Sequence, residues 1–227
     1  MESQALLEAD PLLGAGLGAG DRTEACRVLQ VPVMRLAPGP WQPPPEGGDG
    51  LAYLVAAGML LRRVRVEGGC SVELLAAGDC LLPWREETAS FSRPEWQAVE
   101  HSRLAVLDLR PGAALSRWPA IAGAVAGRAI DRSRALALQA AIMSVVGIEE
   151  RLHALLWALA ERWGEVVPAG AELELNVPQG VLAEMVGARR PTVSQALGSL
   201  CDRGLLSSPR PGRWVLHGEP PAPASDS

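Results

Sequence analysis

Residues 176–214 read NVPQGVLAEMVGARRPTVSQALGSLCDRGLLSSPRPGRW and decide the fold of the C-terminal part of the chain. Apolar residues recur in two short segments, 181–186 and 193–200, at the spacing of one helix face. Gly187 ends the first helix because a residue without a Cβ tolerates a left-handed turn, and Pro191 suits the first turn of the second helix. Two helices joined by so short a turn form a helix-turn-helix, whose second helix enters the DNA major groove.

The residues after the second helix predict a short β-hairpin. Two apolar segments, 205–206 and 214–216, flank the turn-forming residues 208–212. A hairpin in this position is the wing of a winged helix. Within residues 176–217, five arginines and two acidic residues give a local net charge of +3, on a chain whose net charge is −5. A basic surface confined to one segment favours contact with DNA.

The stretch LAEMVGARRPTVSQALGSLCDRGLL, residues 182–206, resembles the DNA-binding domain of the Crp/Fnr superfamily of bacterial transcription regulators. It has that family's leucine-alanine pair, the valine-glycine pair that ends the first helix, the arginine and threonine-valine that open the second, and the final arginine-glycine-leucine. The resemblance implies a homodimer that binds double-stranded DNA at a two-fold-symmetric site and contacts RNA polymerase. A winged helix used only for protein contacts is the alternative.

The second helix and the wing supply the predicted DNA contacts. Arg190, Ser194 and Gln195 are predicted base readers, because an arginine fork can bind guanine and a glutamine amide can pair with adenine. The predicted phosphate contacts, near helix starts and in the wing, are Gln179, Arg189, Thr192, Arg210 and Arg213. The best-known relatives have glutamate at the position of Pro191 and arginine at that of Gln195, so their target sequence does not carry over.

Length and composition are those of a globular chain. At 227 residues with 48% hydrophobic content, there is room for two domains and ample material for a core. We expect a cytoplasmic protein, since the sequence has neither a long uncharged apolar run nor a secretory signal. The cysteines, Cys26, Cys70, Cys80 and Cys201, are scattered without a CxxC pair, which predicts reduced thiols.

The N-terminal half predicts a flexible arm followed by an all-β domain. Residues 1–24 carry glycines at alternate positions from Gly14 to Gly20, so we expect them to form a flexible arm. In residues 25–110, short runs rich in valine and leucine are separated by glycine and proline, as in a small barrel or sandwich. Hairpin turns are expected at residues 47–50 and 67–69. The family resemblance implies that this domain is a cyclic-nucleotide-binding-type β-roll.

The phosphate-binding segment of that β-roll is altered in this chain. Gly78-Asp79 matches the family's glycine-aspartate turn, but residues 82–84, Leu-Pro-Trp, stand where nucleotide-binding members have glycine-glutamate. Arg93-Pro94 replaces their arginine-alanine pair. Because proline has no backbone N–H to offer a phosphate, we predict a regulator that does not respond to cyclic AMP and whose effector is unknown. Arg85 and Arg93 remain candidates for contact with an anion, with solvated loop arginines as the alternative.

Residues 111–146 predict one long helix, because no proline interrupts them after residue 119. Residues at alternating steps of three and four form a seam with a period of 3.5, which suits a parallel partner helix. The predicted dimer seam is Ala122, Val125, Ala129, Arg132, Leu136, Gln139 and Met143. Family members dimerise through this helix. Packing of the helix only within its own monomer is the alternative.

The remaining residues complete the plan of the chain. Gly147 interrupts the helical pattern and predicts a hinge. Residues 147–218 form the predicted winged helix-turn-helix domain, which begins with an amphipathic helix at 148–164 and a strand at 171–175. Residues 219–227 are polar and proline-rich, and we expect disorder there. The predicted fold class is therefore α+β: an N-terminal β-roll, a long dimerisation helix and a C-terminal winged helix-turn-helix.

No combination of residues predicts catalysis. The three histidines lie in different segments, and no GxSxG, P-loop or HExxH motif occurs. We predict no enzymatic activity, no cofactor and no metal. Three alternatives remain for regulation: a cyclic-nucleotide-responsive regulator, a thiol or metal sensor, if Cys70 and Cys80 approach each other across strands, and a constitutive regulator without an effector.

Overall fold

The computed structural model describes residues 2–44, 50–83, 92–108 and 116–222. The chain divides into two compact units, Met1–Arg134 and Ala135–Ser227. The division falls inside the long helix, whereas the sequence suggested a boundary near Gly147. Arg85, the predicted turn at residues 47–49 and the last tail residues, 223–227, lie outside the described residues, as does the side chain of Arg93.

The first unit contains nine described strands that form two antiparallel sheets. The strands are β1 Glu2–Ala5, β2 Gln30–Leu36, β3 Gly39–Trp41, β4 Gly50–Ala57, β5 Met59–Val66, β6 Gly69–Ala76, β7 Cys80–Leu81, β8 Arg93–Ala98 and β9 Ser102–Asp108. One sheet has the order β1-β2-β9-β4-β7 and the other β3-β8-β5-β6. The turn predicted at residues 67–69 joins β5 to β6. This pair of sheets is the predicted β-roll.

An apolar cluster with an aromatic centre lies within the β-roll. It joins Tyr53 and Leu104 of the first sheet to Leu60, Leu75 and Trp96 of the second. The ring centroids of Trp41 lie 5.8 Å from those of both Tyr53 and Trp96 in edge-to-face contacts. Alternating strand residues supply this core, as the short-strand pattern of the sequence predicts.

The N-terminal segment is folded, so the expectation of a flexible arm at residues 1–24 is wrong. Strand β1 pairs antiparallel with β2, and helices α1, Leu6–Ala9, and α2, Ala19–Val28, follow with a 3-10 turn at Pro11–Gly14 between them. Leu6, Leu7 and Leu13 are at most 2% exposed in a cluster with the start of the long helix. The alternate glycines suggested flexibility, but the leucines around them supply the apolar area that holds the segment.

The long helix is α3, Pro119–Ser144. Ile121, completely buried, and Trp118, 5% exposed, anchor its start in the apolar cluster of the N-terminal segment. Two residues of the predicted dimer seam also face the β-roll: Val125 packs against the same cluster, and Arg132 forms an ion pair with Glu73. These two residues therefore have partners within the monomer, because a heptad spacing gives the period of a stripe but not the direction in which it faces, and the predicted seam stays a prediction.

A second stripe with the same spacing, shifted by one residue, is exposed along α3. Ile130, with 54% of its surface exposed, is its largest member. A Cβ added at Gly123 would have no atom within 4 Å. The exposed stripe consists of Gly123, Ala126, Ile130, Ser133, Ala137, Ala140 and Ser144.

The cysteines do not form the pair considered from the sequence. Cys70 lies on β6 and Cys80 on β7, which belong to different sheets, and all four cysteines are free thiols. Burial raises the pKa of Cys80 to about 12, so this thiol stays protonated near neutral pH. Within the described residues, no group of histidine, cysteine and carboxylate side chains is arranged to hold a metal ion.

The second unit contains a three-helix arrangement with a four-stranded sheet. After α3 ends, Gly147 adopts a φ of 98° and α4, Ile148–Trp163, begins. The other elements are β10 Glu165–Val167, β11 Gly170–Glu174, α5 Gln179–Met185, α6 Arg190–Asp202, β12 Leu206–Arg210 and β13 Arg213–His217. The sheet order is β10-β11-β13-β12. The predicted helix-turn-helix and wing are both present, and the predicted strand at 171–175 has β10 as an additional partner.

Among the described helices, none has the length and apolarity needed to cross a membrane.

Candidate nucleic-acid interface

The buried face of α6 fixes which of its residues point outward. Val193, Ala196, Leu197 and Leu200 are between 0 and 7% exposed, and α6 contacts both α4 and α5. These are the apolar positions that the sequence assigned to one helix face. Burial of such side chains stabilises the helix by roughly 1.5–3 kcal/mol for each large one.

The turn between α5 and α6 depends on Gly187. Its φ of 65° lies in the left-handed region, and a Cβ there would come within 2.7 Å of the terminal methyl of Met143. Arg151 of α4 donates a hydrogen bond of 3.3 Å to the carbonyl of Val186, the residue that ends α5. The turn is therefore held both by its own backbone conformation and by the preceding helix.

The predicted base readers lie on the exposed surface of α6. Arg190, Ser194 and Gln195 are all exposed, as is Thr192. Arg190 is the first helical residue and Arg189 is its N-cap, so both guanidinium groups lie at the N-terminal end of α6. No ion pair involves either of these arginines within the described residues. Their charges, together with the positive end of the helix dipole, make this end attractive to phosphate.

Gln179, the remaining predicted contact among the helices, is the first residue of α5 and is partly buried. Pro178 is the N-cap of that helix and makes no side-chain capping bond. The first backbone N–H groups of α5 therefore have no side-chain cap from Pro178, which suits contact with an oxyanion at this helix start.

Both arginines of the wing are paired with carboxylates of strand β11 in the same sheet. Arg213 donates a hydrogen bond of 2.6 Å to Glu172, and this bond raises the pKa of Arg213 above its usual value. Arg210 forms an ion pair with Glu174. The +3 charge of residues 176–217 omits these two glutamates, which lie just before that segment. The sequence could have indicated the pairs, because β11 alternates Glu172 and Glu174 beside the hairpin.

A polar group also connects the start of α4 to the end of α6. Glu149 and Arg203 form an ion pair, and a hydrogen bond from Ser199 is the main cause that lowers the pKa of Glu149. Trp157 donates a hydrogen bond of 3.0 Å to Nε2 of His153. Burial lowers the pKa of His153, which favours the neutral ring that can accept that bond. The contacts of Glu149 were not predicted, since they join residues distant in sequence.

Basic charge is thus confined to a small part of the second unit. Residues 147–218 contain seven arginines and eight acidic residues, a net charge of −1. Pairing of Arg203, Arg210 and Arg213 with glutamates leaves Arg189 and Arg190 as the basic centre of the outward surface. A localised positive site suits contact with a few phosphates and base edges.

Comparison with known proteins identifies the domain. Residues 150–218 match the Crp-like helix-turn-helix domain. A search of curated proteins found no match.

Solved structures with the same fold cover almost the whole chain. A CooA mutant from Carboxydothermus hydrogenoformans is 22% identical, with a TM-score of 0.65 over 95% of this chain and 92% of that one. A cyclic nucleotide-binding domain containing protein from Listeria monocytogenes is 15% identical, with a TM-score of 0.68 over 92% and 97%. FixK2 from Bradyrhizobium japonicum is 16% identical, with a TM-score of 0.62 over 83% and 93%.

The fold is that of the Crp/Fnr regulators: a β-sheet sensor-type domain, a long helix and a helix-turn-helix with wing strands. The chain combines this fold with a Crp-like helix-turn-helix domain at residues 150–218. The resemblance noted in the sequence is confirmed.

The paired wing arginines lead to a prediction about DNA affinity. Replacing both carboxylates, Glu172→Gln with Glu174→Gln, leaves Arg210 and Arg213 available to phosphate. We expect affinity to rise for every duplex sequence, and the slope of log K against log salt to steepen by up to about two phosphate contacts. Fluorescence anisotropy at several salt concentrations measures both quantities.

Glu95→Gln serves as the matched control, because Glu95 is an exposed partner of Arg65 on the β-roll. It should leave affinity and salt dependence unchanged. Wild-type behaviour of the double variant would show that the wing arginines do not reach DNA.

Proposed function

We propose that the protein is a homodimeric, sequence-specific transcription regulator that binds a two-fold-symmetric DNA site, with half-sites about one helical turn apart. The observation that carries the proposal is the outward surface of α6, whose polar residues are exposed while its apolar face is buried. Such a helix presents its side chains to a major groove without disturbing its own packing.

Arg190, Ser194 and Gln195 are the base readers in this proposal. Arg190 can donate two parallel hydrogen bonds to O6 and N7 of guanine, and Gln195 can pair with N6 and N7 of adenine. Phosphate contacts from Gln179, Arg189 and Thr192 fix the register of the helix on the duplex. Arg210 and Arg213 join them when phosphate replaces their glutamate partners. RNA polymerase is the proposed protein partner, and the cytoplasm of a bacterial cell the proposed location.

Arg190→Ala tests the base-reading role. We expect specific binding to weaken by about 1–3 kcal/mol and the preference at one base position to relax. The measurement is anisotropy with a selected DNA site and with the same site substituted at each position in turn.

Arg65→Ala is the matched control, since Arg65 is an exposed arginine of the β-roll. It should bind as the wild type does. Equal weakening on every sequence by Arg190→Ala would assign Arg190 to phosphate contact instead.

The exposed stripe along α3 is the proposed dimer seam, in place of the set that the sequence first suggested. Of that first set, Ala122, Ala129, Leu136, Gln139 and Met143 flank the new seam. The proposal rests on three points: the exposed residues repeat at steps of three and four, they are small or apolar, and regulators of this fold are typically dimeric. Small side chains allow two helices to approach closely, with Ile130 as the largest contact.

Ile130→Glu tests the seam. A carboxylate facing its own copy across a two-fold axis brings two negative charges together, so we expect a shift from dimer to monomer. Light scattering after size exclusion gives the mass over a range of concentrations.

Leu12→Glu is the control, because Leu12 is 68% exposed in the N-terminal segment and is not part of the exposed stripe. It should leave the dimer intact. A dimer that is equally stable with Ile130→Glu would place the interface on another surface.

Regulation by cyclic AMP is disfavoured in this proposal. Pro83 is buried, and Pro94 lies within β8 opposite Val64 of β5. Neither position has the backbone N–H that a phosphate cradle needs. A thiol switch is disfavoured as well, since Cys80 is buried with a raised pKa and is in a different sheet from Cys70.

A further inference from the structure

One arginine side chain bridges the ends of two helices in the second unit. Nε of Arg151, near the start of α4, donates a hydrogen bond of 2.7 Å to the carbonyl of Val145, the residue that follows α3. Nη1 of the same side chain donates a hydrogen bond of 3.3 Å to the carbonyl of Val186, the residue that ends α5. A single guanidinium group therefore joins a segment that precedes α4 to one that follows it.

Both carbonyls lie at helix ends, where the helix itself supplies no N–H group to bind them. At the end of α5, the N–H of Ala188 binds the carbonyl of Ala183, and the N–H of Gly187 binds that of Glu184. This is a Schellman turn with Gly187 in the left-handed conformation, and the carbonyl of Val186 accepts its bond from Arg151 instead. An arginine suits this position because its donors point in fixed directions and its charge strengthens hydrogen bonds to carbonyls at the negative end of a helix.

An apolar contact lies beside this bridge. The terminal methyl of Met143, in the last turn of α3, lies against Gly187: a Cβ built on that glycine would be 2.7 Å from the methyl carbon. The same Cβ would be 3.9 Å from Nη1 of Arg151. The end of α3 thus meets the turn of the helix-turn-helix through one apolar and one polar contact. Because Arg189, the N-cap of α6, follows this turn directly, these contacts also fix the place where α6 begins.

The bridge spans the joint at Gly147, where the sequence predicts a hinge. Gly147 has a φ of 98°, and its carbonyl accepts a hydrogen bond of 3.2 Å from the backbone N–H of Arg151. A hinge residue must be able to change its backbone angles. Such a change at Gly147 would separate the side chain of Arg151 from the carbonyl of Val145, so the hydrogen bond opposes it.

We propose that Arg151 is a positioning residue for DNA reading: its guanidinium fastens the turn of the helix-turn-helix to the end of α3 and closes the joint at Gly147. The end of α3, the turn and the start of α6 then move as one body. Arg151 acts through the turn rather than by contact with DNA. The proposal rests on the proposed function in one respect, namely that α6 reads base edges.

Arg151→Lys and Arg151→Ala in the full-length protein without DNA test the bridge. Lysine retains the charge but has one nitrogen in place of the two that bind the two carbonyls, and alanine has no donor. We expect backbone hydrogen exchange of residues 186–188 to accelerate by about tenfold or more, because the turn loses its external support. Exchange at residues 193–200, the buried face of α6, should be unchanged. The measurement is exchange followed by mass spectrometry at peptide resolution.

Arg162→Lys is the matched control, because Arg162 is an exposed arginine at the other end of α4 that stacks on Trp163. It should leave exchange at residues 186–188 as in the wild type. Wild-type exchange of the turn in both Arg151 variants would overturn the proposal. Equal acceleration at residues 186–188 and 193–200 would overturn it as well, since that result marks a general loss of stability.

DNA binding by the same variants tests the positioning role. The quantity is the ratio of affinities for a selected site and for an unrelated duplex, measured by fluorescence anisotropy at one salt concentration. We expect both Arg151 variants to lower this ratio by about tenfold, since a displaced α6 loses base contacts while non-specific attraction to phosphate persists. Arg162→Lys should keep the wild-type ratio. Accelerated exchange of the turn with an unchanged ratio would overturn the positioning role, whereas a wild-type protein without any sequence preference would contradict the proposed function itself.

Discussion

Burial of one face of α6 is the interaction on which the DNA-binding unit depends. Val193, Leu197 and Leu200 lie against α4 and α5, and each large side chain contributes roughly 1.5–3 kcal/mol. Exposed ion pairs such as Arg210 with Glu174 contribute at most about 1 kcal/mol. Apolar packing therefore sets the rotation of the helix about its axis. The outward residues are then determined, and their polar groups remain available for a ligand because the fold does not require them.

Local features of the chain could be predicted from the sequence, and features that depend on distant partners could not. The helix-turn-helix is local: the spacing from Val181 to Leu200 and the position of Gly187 together specify it. The direction of the α3 stripe depends on Glu73, which is 59 residues away from its partner Arg132 in the chain. Periodicity cannot reveal such a partner, and the predicted seam consequently included a residue that faces the β-roll.

The N-terminal segment and the wing illustrate the same limit. Alternating glycines indicated a flexible arm, yet Leu6 and Leu13 are buried because the β-roll and the start of α3 offer them an apolar surface. The two arginines of the wing predicted a positive charge that favours DNA. In the structure, however, Glu172 and Glu174 of β11 form ion pairs with them. In both regions, the environment of the residues depends on partners from other segments of the chain, which local sequence patterns do not indicate. The proposed DNA-binding surface is therefore more concentrated on Arg189 and Arg190 than the sequence indicated.

Selection of bound duplexes from a random DNA pool by the full-length protein tests the central claim most directly. A dimer that places one α6 in each of two major grooves should enrich a two-fold-symmetric motif with half-sites about one helical turn apart. Enrichment of a single half-site would contradict the dimeric arrangement. A pool with no enriched sequence would contradict sequence-specific reading by α6.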